Sequence, residues 1–559
     1  MGHSSADGYA EFCQRVLGMI ARDIPDTGET EKMYRMSANI GLELRRGDLA
    51  QASILAEEIV RSYPRNARSW LAAAQVASRR GDRGAAIQNI GKSIDCFDAD
   101  GDELAVAAKY FAEAGLCRKA RICADKVTDA HCASAFQLDL AGNAYTLCGD
   151  HGSAKRCFER AAEEAPSNAG LLFNLAAAQR FSGDVAAAEA SFERVIALNP
   201  DHYEAHHGLA SIRRQTRGNN HIDRLKGMLE AAGPDWRGKV MLGFALGKEL
   251  EDIGDFGAAF TAYTEAALLK RAQTHYSLDQ EIGAIEQIIK CHRAEAFRTA
   301  SPGRGGANAI FVLGLPRTGT TLVEQILAAH PYVGAKGELN DFASAMMSEL
   351  NSLSGGVPIR RVQAISDSLK LDFAQLGERY LSMVAERAPD SDVFIDKMPL
   401  NYLYIGLILQ ALPEAHIIYL KRDPLDAATA IYTTLFNQAY AWSYSLQDIE
   451  RYMQAHYRLM DHWKAEFGDR LYVVAYEDII KDQEGATRGL LDYCGLPWDP
   501  ACLDFHKNRS AVTTASAVQV RKPIYSTSMG RWKHFETELA PIVPSLQAIS
   551  LIESNSYAP

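Results

Sequence analysis

A repeat of 34 residues is the feature that most constrains how the first half of this chain can fold. Glycine recurs at this step, and an alanine follows each of these glycines by five residues. The glycines are Gly47, Gly81, Gly115, Gly149 and Gly183, and the alanines are Ala52, Ala86, Ala120, Ala154 and Ala188. A glycine can end a helix in a left-handed turn, and an alanine lets the next helix pack closely against it. The spacing therefore predicts a stack of antiparallel helix pairs.

Prolines close several of these units, at Pro64, Pro166 and Pro200, and the units are clear over residues 31–215. After a break in register around 217–220, Gly254 and Ala259 predict a further unit at about 234–270. The period and the placement of Gly and Ala resemble the tetratricopeptide repeat, which implies a superhelical array with a concave surface. We expect this surface to bind a peptide segment of an acceptor or partner. A rigid spacer and a homodimer interface are the alternatives.

A second domain is expected because 559 residues exceed the roughly 250 to 300 that one hydrophobic core supports. The Pro/Gly-rich residues 301–308 predict a linker between a repeat domain, 1–300, and a second domain, 309–559. Short apolar runs then alternate with helical lengths, at 309–314, 392–396, 415–420 and 471–476. This alternation predicts an α/β domain with a central parallel sheet, whose ligands bind at the carboxyl ends of the strands.

Composition excludes several classes of protein. The chain has 59 Lys and Arg against 70 Asp and Glu, a net charge of −11, so no overall positive field attracts nucleic acid. The most apolar stretch, 400–413, is too short for a membrane span, and the first residues lack the apolar core of a secretory signal. The ten cysteines include no CxxC pair, which favours reduced, packed thiols. We expect a cytoplasmic protein.

The loop after the first predicted strand is the strongest chemical signal. Residues 314–321, GLPRTGTT, lead directly into a helical segment. A tight loop from strand to helix directs backbone N–H groups and the positive helix end at one point, which predicts an anion site. Against the nucleoside-triphosphatase pattern GxxxxGK[ST], Thr320 occupies the lysine position, which argues against ATP or GTP hydrolysis. Arg317 supplies a cation from within the loop.

The segment LPRTGTTLVEQILAAHPYVGAKGE resembles the 5′-phosphosulfate loop of the sulfotransferases, in particular the tyrosylprotein sulfotransferase branch. The resemblance extends over roughly residues 309–535 and implies a sulfotransferase-like P-loop domain. It also implies 3′-phosphoadenosine 5′-phosphosulfate (PAPS) as donor and transfer of a sulfuryl group to a hydroxyl acceptor, without a metal. The residues that match the family loop, and are expected to bind the 5′-phosphate and sulfate, are Arg317, Thr318, Gly319, Thr320 and Thr321.

The same resemblance implies two further catalytic groups besides Arg317. An ungapped comparison places Glu338 at the family's catalytic glutamate, where it would accept the proton of the acceptor hydroxyl. The alternative is that Glu338 only caps or solvates a helix start. Lys397, directly after the second predicted strand, resembles the lysine that stabilises the leaving group. A lysine is common at a strand end, but its place at the carboxyl edge favours function.

Arg422 ends a predicted strand and resembles the arginine that binds the 3′-phosphate of PAPS. A turn at Asp423–Pro424 would not by itself require two cations, Lys421 and Arg422, at the end of a buried strand. The chain departs from the family further on. Ala430 stands where a serine usually donates to the 3′-phosphate, and Thr433 and Thr434 replace basic residues, which leaves a degenerate donor site open.

The carboxyl-terminal segment resembles the closing segment of the family. In it, Ser516 matches a serine near the phosphosulfate and Arg531 a basic residue that reaches the 3′-phosphate. Tyr476 resembles a tyrosine near the nucleotide, although core packing explains it almost equally well. We interpret His330, before a proline at a helix end, as structural.

Together these features predict a PAPS-dependent sulfotransferase whose repeats position the acceptor, and protein tyrosine is the first acceptor class to consider. Two alternatives stay open. One is a repeat scaffold with a degenerate donor site, and the other is a P-loop nucleotide kinase or hydrolase.

Overall fold

A computed structural model of the chain describes residues 28–96, 100–130, 132–298, 301–355, 357, 359–387, 391–436, 439–508 and 519–556. The chain divides into two compact units. The first comprises residues 1–171 and 386–388, and the second comprises 172–385 and 389–559. This division falls inside the repeat array, and residues 301–308 lie within the second unit. The domain boundary predicted at 301–308 stays a prediction.

The described part of the first unit consists of consecutive helices. They are α1 (Gly28–Arg46), α2 (Leu49–Ser62), α3 (Ala67–Arg79), α4 (Arg83–Ile94), α5 (Gly101–Glu113), α6 (Cys117–Asp129), α7 (Ala135–Leu147) and α8 (His151–Glu164). The helical repeats continue in the second unit. Helix α9 (Ala169–Phe181) includes the boundary at residue 171, and the helices after it are α10 (Val185–Leu198), α11 (Tyr203–Ser211), α12 (Ile222–Ala231), α13 (Trp236–Asp252), α14 (Phe256–Ala272), α15 (Leu278–Cys291) and α16 (Ala294–Phe297).

The turn inside each repeat has the predicted backbone conformation. The five repeat glycines all have φ between 77° and 82°, and Gly254 has φ 85°. In several units an aspartate follows the glycine and caps the next helix, since the side chains of Asp48, Asp82 and Asp150 accept from a backbone N–H three residues on. The five repeat alanines are at most 5% exposed. These observations confirm the predicted helix pairs.

The second unit also contains a five-stranded parallel sheet in the order β2-β3-β1-β4-β5. The strands are β1 (Ala309–Gly314), β2 (Val333–Ala335), β3 (Val393–Asp396), β4 (His416–Lys421) and β5 (Leu471–Ala475). Four of them correspond to the predicted runs, and the three-residue strand β2 was not predicted. Because the chain leaves β1 toward β2 and later returns to β4 on the other side, a crevice is expected at the carboxyl end of β1.

Helices connect and follow the strands. They are α17 (Thr320–Ala328), α18 (Asp341–Leu353), α19 (Arg361–Asp367), α20 (Phe373–Ala385), α21 (Ile405–Ala411), α22 (Pro424–Tyr432), α23 (Leu446–Phe467), α24 (Tyr476–Lys481), α25 (Gln483–Tyr493), α26 (Glu536–Leu539) and α27 (Val543–Ser556). Among the helices in the described ranges, none combines the length and the apolar character needed to cross a bilayer.

Hydrophobic cores lie on both faces of the sheet. Val312 belongs to one core and Phe311, its neighbour on β1, to the other, and both side chains are fully buried. The core that contains Phe311 continues into the repeat helices of the same unit, where the ring centroids of Phe260 and Tyr432 lie 5.4 Å apart. The last repeats and the sheet therefore share one hydrophobic core.

Substitution of a repeat glycine tests the predicted turn. Gly149→Ala would place a side chain at φ 80°, where an added Cβ meets no atom within 4 Å, so only backbone strain opposes it. We expect the free energy of unfolding of the affected transition to fall by about 1 to 2 kcal/mol, measured by urea denaturation.

Gly152→Ala is the matched control, because its added Cβ makes only ordinary contacts of 3.8 Å inside a helix. It should be neutral or slightly stabilising. Equal destabilisation by both substitutions would contradict the assignment of the turn.

Candidate active site

The loop after β1 has the conformation that its glycines allow. Gly314, Arg317 and Gly319 have φ 152°, 67° and 105°. A Cβ on Gly319 would lie 2.7 Å from the Tyr476 ring, so this position requires glycine. Helix α17 begins directly after Gly319, which has no side chain to cap it. Its positive end is therefore directed into the crevice beside β1.

The threonines of the loop are almost completely buried. Thr318, Thr320 and Thr321 are 2%, 5% and 5% exposed. The Thr318 hydroxyl donates to the carbonyl of Leu315 at 2.7 Å, which closes the turn.

Arg422 lies next to this loop, at the end of the neighbouring strand β4. Its Nη1 donates to the backbone carbonyl of Arg317 at 3.0 Å, and its Nη2 donates to the carbonyl of Ser528. The guanidinium carbon lies 4.9 Å from the centre of the Tyr476 ring. Although Arg422 is only 7% exposed, its Nε has no hydrogen-bond partner among the described residues. The structure thus brings together the two segments that the sequence assigned to the two ends of one nucleotide.

Three guanidinium groups influence one another around the loop. The pKa of Arg317 is lowered to about 10, mainly by burial and in smaller part by the positive charges of Arg422 and Arg531. Arg317 also donates to the side chain of Gln519 at 3.2 Å. Mutual repulsion of this kind is relieved when an anion binds among the cations.

Lys397 and Glu338 meet at the same edge of the sheet. Lys397 follows β3, its side chain is 0% exposed, and its Nζ lies 2.6 Å from Oε1 of Glu338. The Glu338 side chain is 45% exposed, so it remains accessible to a second reactant. The backbone N–H of Lys397 donates to the carbonyl of Gly337 at 3.0 Å, which fixes the two segments side by side.

Glu324 is a buried acid of this site that the sequence reasoning missed. It lies on α17, is 3% exposed, and its Oε2 is 3.9 Å from Nζ of Lys397. Burial raises its pKa to about 6; the charge of Lys397 opposes this rise and that of Glu338 adds to it. No signal in the helical pattern distinguished Glu324 from a solvated residue, because its partners are distant in sequence.

Tyr476 and Arg531 lie close to the arginine cluster. The Tyr476 hydroxyl is 2.6 Å from that of Ser528, a second residue that sequence reasoning missed. Arg531 donates to both carboxylate oxygens of Glu251 and, at 2.9 Å, to the hydroxyl of Thr433. Burial acts against ionisation of Arg531, but the Glu251 carboxylate keeps the pKa of its guanidinium above the ordinary value.

Of the remaining positions singled out in the sequence, Ala430 and His330 are buried, and one is not described. Ala430 is buried on α22, and the Thr434 hydroxyl donates to its carbonyl at 2.7 Å. His330 is 2% exposed and its Nε2 lies 3.0 Å from the carbonyl of Pro497, a packing role in agreement with the structural interpretation. Ser516 lies outside the described residues.

Comparison with known proteins identifies both parts of the chain. Residues 309–500 match the model of the sulfotransferase family, and residues 149–212 match the tetratricopeptide repeat model. Residues 309–500 are therefore a sulfotransferase-family domain, on a chain that also carries tetratricopeptide repeats. The resemblance inferred from the loop sequence is confirmed for this region.

Two individual relatives share 30% and 23% sequence identity with the chain. The chain is 30% identical over 393 residues to an uncharacterized protein of Aquifex aeolicus (strain VF5). The aligned region covers 69% of this chain and 51% of that protein. The chain is 23% identical over 234 residues to a protein-tyrosine sulfotransferase of Drosophila melanogaster, and this aligned region covers 40% of this chain and 46% of that protein. The chain thus spans about half the length of these two curated relatives.

Among solved structures, the chain is similar to the sulfotransferase domain of the Synechococcus PCC 7002 olefin synthase. The similarity covers 42% of this chain and 88% of that domain, with 19% sequence identity and a TM-score of 0.31.

The raised pKa of Glu324 predicts how stability depends on pH. Its folded pKa of about 6 exceeds the ordinary 4.5, so its contribution to stability is fully present below pH 4.5 and is lost as pH rises through 6. We expect this loss to be about 2 kcal/mol between pH 4.5 and pH 7.5. Glu324→Gln should remove it, as measured by urea denaturation at both pH values.

Glu378→Gln on the exposed surface of α20 is the control and should keep the wild-type difference. If Glu324→Gln retained the same pH difference as this control, the raised pKa would be refuted.

Proposed function

We propose that the protein is a PAPS-dependent sulfotransferase that transfers a sulfuryl group to a hydroxyl acceptor. One observation carries the proposal. The charges of Arg422 and Arg531 act on Arg317 in the glycine-rich loop before α17, and Glu324 on the same helix lies 3.9 Å from Lys397, the partner of Glu338. A cationic site for a polyanion and a proton-accepting carboxylate are therefore both present around α17, as such a transfer requires.

The residues present fit the donor. The buried Nε of Arg422 lacks a partner among the described residues, so a phosphate oxygen would satisfy it. Gly319 lets the Tyr476 ring lie directly against the loop, because a Cβ at this position would be only 2.7 Å from the ring. In this proposal Arg317 and Thr318 to Thr321 hold the 5′-phosphosulfate, and Arg422, Tyr476 and Arg531 hold the adenosine 3′-phosphate end.

The pair of Glu338 and Lys397 supplies the chemistry of the chain itself. Glu338, the more exposed partner, accepts the proton of the acceptor hydroxyl through its carboxylate. The Lys397 side chain is buried. A positive charge in such a place stabilises the negative charge that develops on a leaving oxygen. When bound, PAPS supplies the sulfuryl group and leaves as adenosine 3′,5′-bisphosphate. Arg317, and Ser516 by its match to the family, complete the proposed catalytic set.

A protein tyrosine is the acceptor that we propose. The support is the sequence similarity to enzymes described as protein-tyrosine sulfotransferases, together with repeats of a kind that binds peptides. In this view the repeats bind the acceptor protein or a partner that delivers it.

A repeat scaffold with a degenerate donor site is the second candidate, and Ala430 favours it. The position offers no hydroxyl, and the neighbouring Thr434 hydroxyl donates to the backbone. Thr433, which contacts Arg531, is the residue that would compensate. Calorimetric titration with adenosine 3′,5′-bisphosphate separates the two candidates, because an absence of heat at high concentration would favour the scaffold.

Removal of the proposed base tests the catalytic assignment. Glu338→Gln keeps the size of the side chain but cannot accept a proton, so we expect the rate of sulfuryl transfer to fall by a factor of about 100 or more. Binding of adenosine 3′,5′-bisphosphate should change by less than about twofold, because the base lies on the acceptor side.

The measurement is transfer of radiolabelled sulfate from PAPS to acceptor proteins, with Glu378→Gln as the surface control. A full rate in Glu338→Gln would mean that the base is another residue.

Arg422 tests the orientation of the donor. Arg422→Ala should reduce kcat/KM for PAPS about 10-fold to 100-fold and affect adenosine 5′-phosphosulfate, which lacks the 3′-phosphate, much less. Arg488→Ala is the matched control, because Arg488 is an exposed arginine that pairs with Glu484 four residues earlier and lies over the Trp498 ring. An unchanged preference for PAPS in Arg422→Ala would contradict the assignment.

A further inference from the structure

An ion pair joins a repeat helix to the arginine of the closing segment. Glu251 lies on α13, and its Oε1 and Oε2 accept from Nε and Nη2 of Arg531 at 2.5 and 2.7 Å. The two side chains are 17% and 20% exposed. Two parallel hydrogen bonds fix the plane of a guanidinium as well as its position. Glu251 therefore determines the direction in which Arg531 presents its remaining N–H groups.

Neighbouring groups hold this pair rigidly. The Tyr263 hydroxyl donates to Oε2 of Glu251 at 3.2 Å, and the Thr433 hydroxyl accepts from Nη2 of Arg531 at 2.9 Å. Burial opposes ionisation of Glu251, but the charge and hydrogen bonds of Arg531 hold the pKa of its carboxyl below the ordinary value. Both members of the pair are thus charged at neutral pH.

The backbone on either side of Arg531 is held by a different group. Asp426, on α22, accepts from the backbone N–H of Gly530 at 2.6 Å and from that of Trp532 at 3.0 Å. The position of the segment is thus set by the sheet domain, while the direction of the Arg531 side chain is set by a repeat helix. These are separate tasks, so the second can be removed without the first.

Arg531 keeps one edge available. Its Nε and Nη2 bond to Glu251 and Thr433, whereas Nη1 makes no hydrogen bond with any of the described residues. Its charge still lowers the pKa of Arg317, so the Arg531 guanidinium lies within electrostatic reach of the loop. The unused edge is the part of the side chain that a phosphate can bind.

We propose that Glu251 is a positioning residue for the donor: it orients Arg531 so that Nη1 binds the 3′-phosphate of the nucleotide. The inference rests on the proposed function. It assigns to a repeat helix a part in the donor site, in addition to any binding of an acceptor. A guanidinium without this carboxylate keeps its charge but loses its fixed plane, so recognition of the 3′-phosphate weakens selectively.

The experiment compares two nucleotides that differ in one group. Calorimetry of the full chain measures Kd for adenosine 3′,5′-bisphosphate and for adenosine 5′-phosphate, which lacks the 3′-phosphate. We expect Glu251→Gln to weaken the bisphosphate about tenfold and to leave adenosine 5′-phosphate within about twofold. In an Arg531→Ala background, Glu251→Gln should cause no additional loss, because the two residues act as one unit.

Glu189→Gln is the matched control, because Glu189 forms a comparable ion pair with Arg213 in the same unit without contact to Arg531. It should leave both affinities unchanged. If Glu251→Gln does not fold, Glu251→Asp serves instead, since it keeps the charge but withdraws it by one methylene, and it should give a smaller loss of the same selective kind.

The outcomes are distinct. Equal weakening of both nucleotides would mean that Glu251 only supports the fold, and unchanged affinities would mean that Arg531 needs no orientation. Tighter binding of the bisphosphate in Glu251→Gln would mean that Glu251 competes with the phosphate, and each of these results overturns the inference while the proposed function stands. A wild-type chain that binds the two nucleotides equally would overturn the proposed function itself, and the inference with it.

Discussion

The rest of the site depends on a cluster of three arginines around the loop after β1, where the positive charges of Arg422 and Arg531 act on Arg317. Arg317, Arg422 and Arg531 remain together because each has a different stabilising contact. Arg317 lies in the loop and bonds to Gln519, Arg422 bonds to backbone carbonyls and faces the Tyr476 ring, and Arg531 has a carboxylate. These contacts reduce the excess positive charge without removing it, so the crevice retains its affinity for a polyanion.

Sequence patterns predicted those parts of the structure that depend on residues close together in the chain. The spacing of Gly and Ala predicted the helix pairs because a left-handed turn and a close helix contact each depend on one residue type. The loop around Gly319 was predictable for a similar reason, whereas the roles expected of Lys397 and Arg422 at the strand ends came from the family resemblance. Strand β2 was not, because three residues carry no periodicity. Glu324, Ser528 and Glu251 were missed, because their importance comes from partners distant in the sequence.

The shared core changes how the repeats should be regarded. In the second unit the apolar side chains of α13 and α14 belong to the same core as one face of the sheet. A repeat that shares a core with the sheet is held in a fixed orientation to it, unlike a domain joined by a flexible segment. Ion pairs at this junction, such as Glu251 with Arg531 and Arg271 with Asp448, then have the geometric precision of an interior contact.

The identical turn in successive repeats has a consequence for how such chains vary in length. Because the turns inside these five units use the same glycine conformation and the same distance to the next alanine, gain or loss of a whole unit preserves the alignment of the units beyond it. Partial units would not, since any other number of residues rotates the following helices out of register. Duplication or deletion of a gene segment that encodes one complete unit is therefore the change in length that this array accommodates.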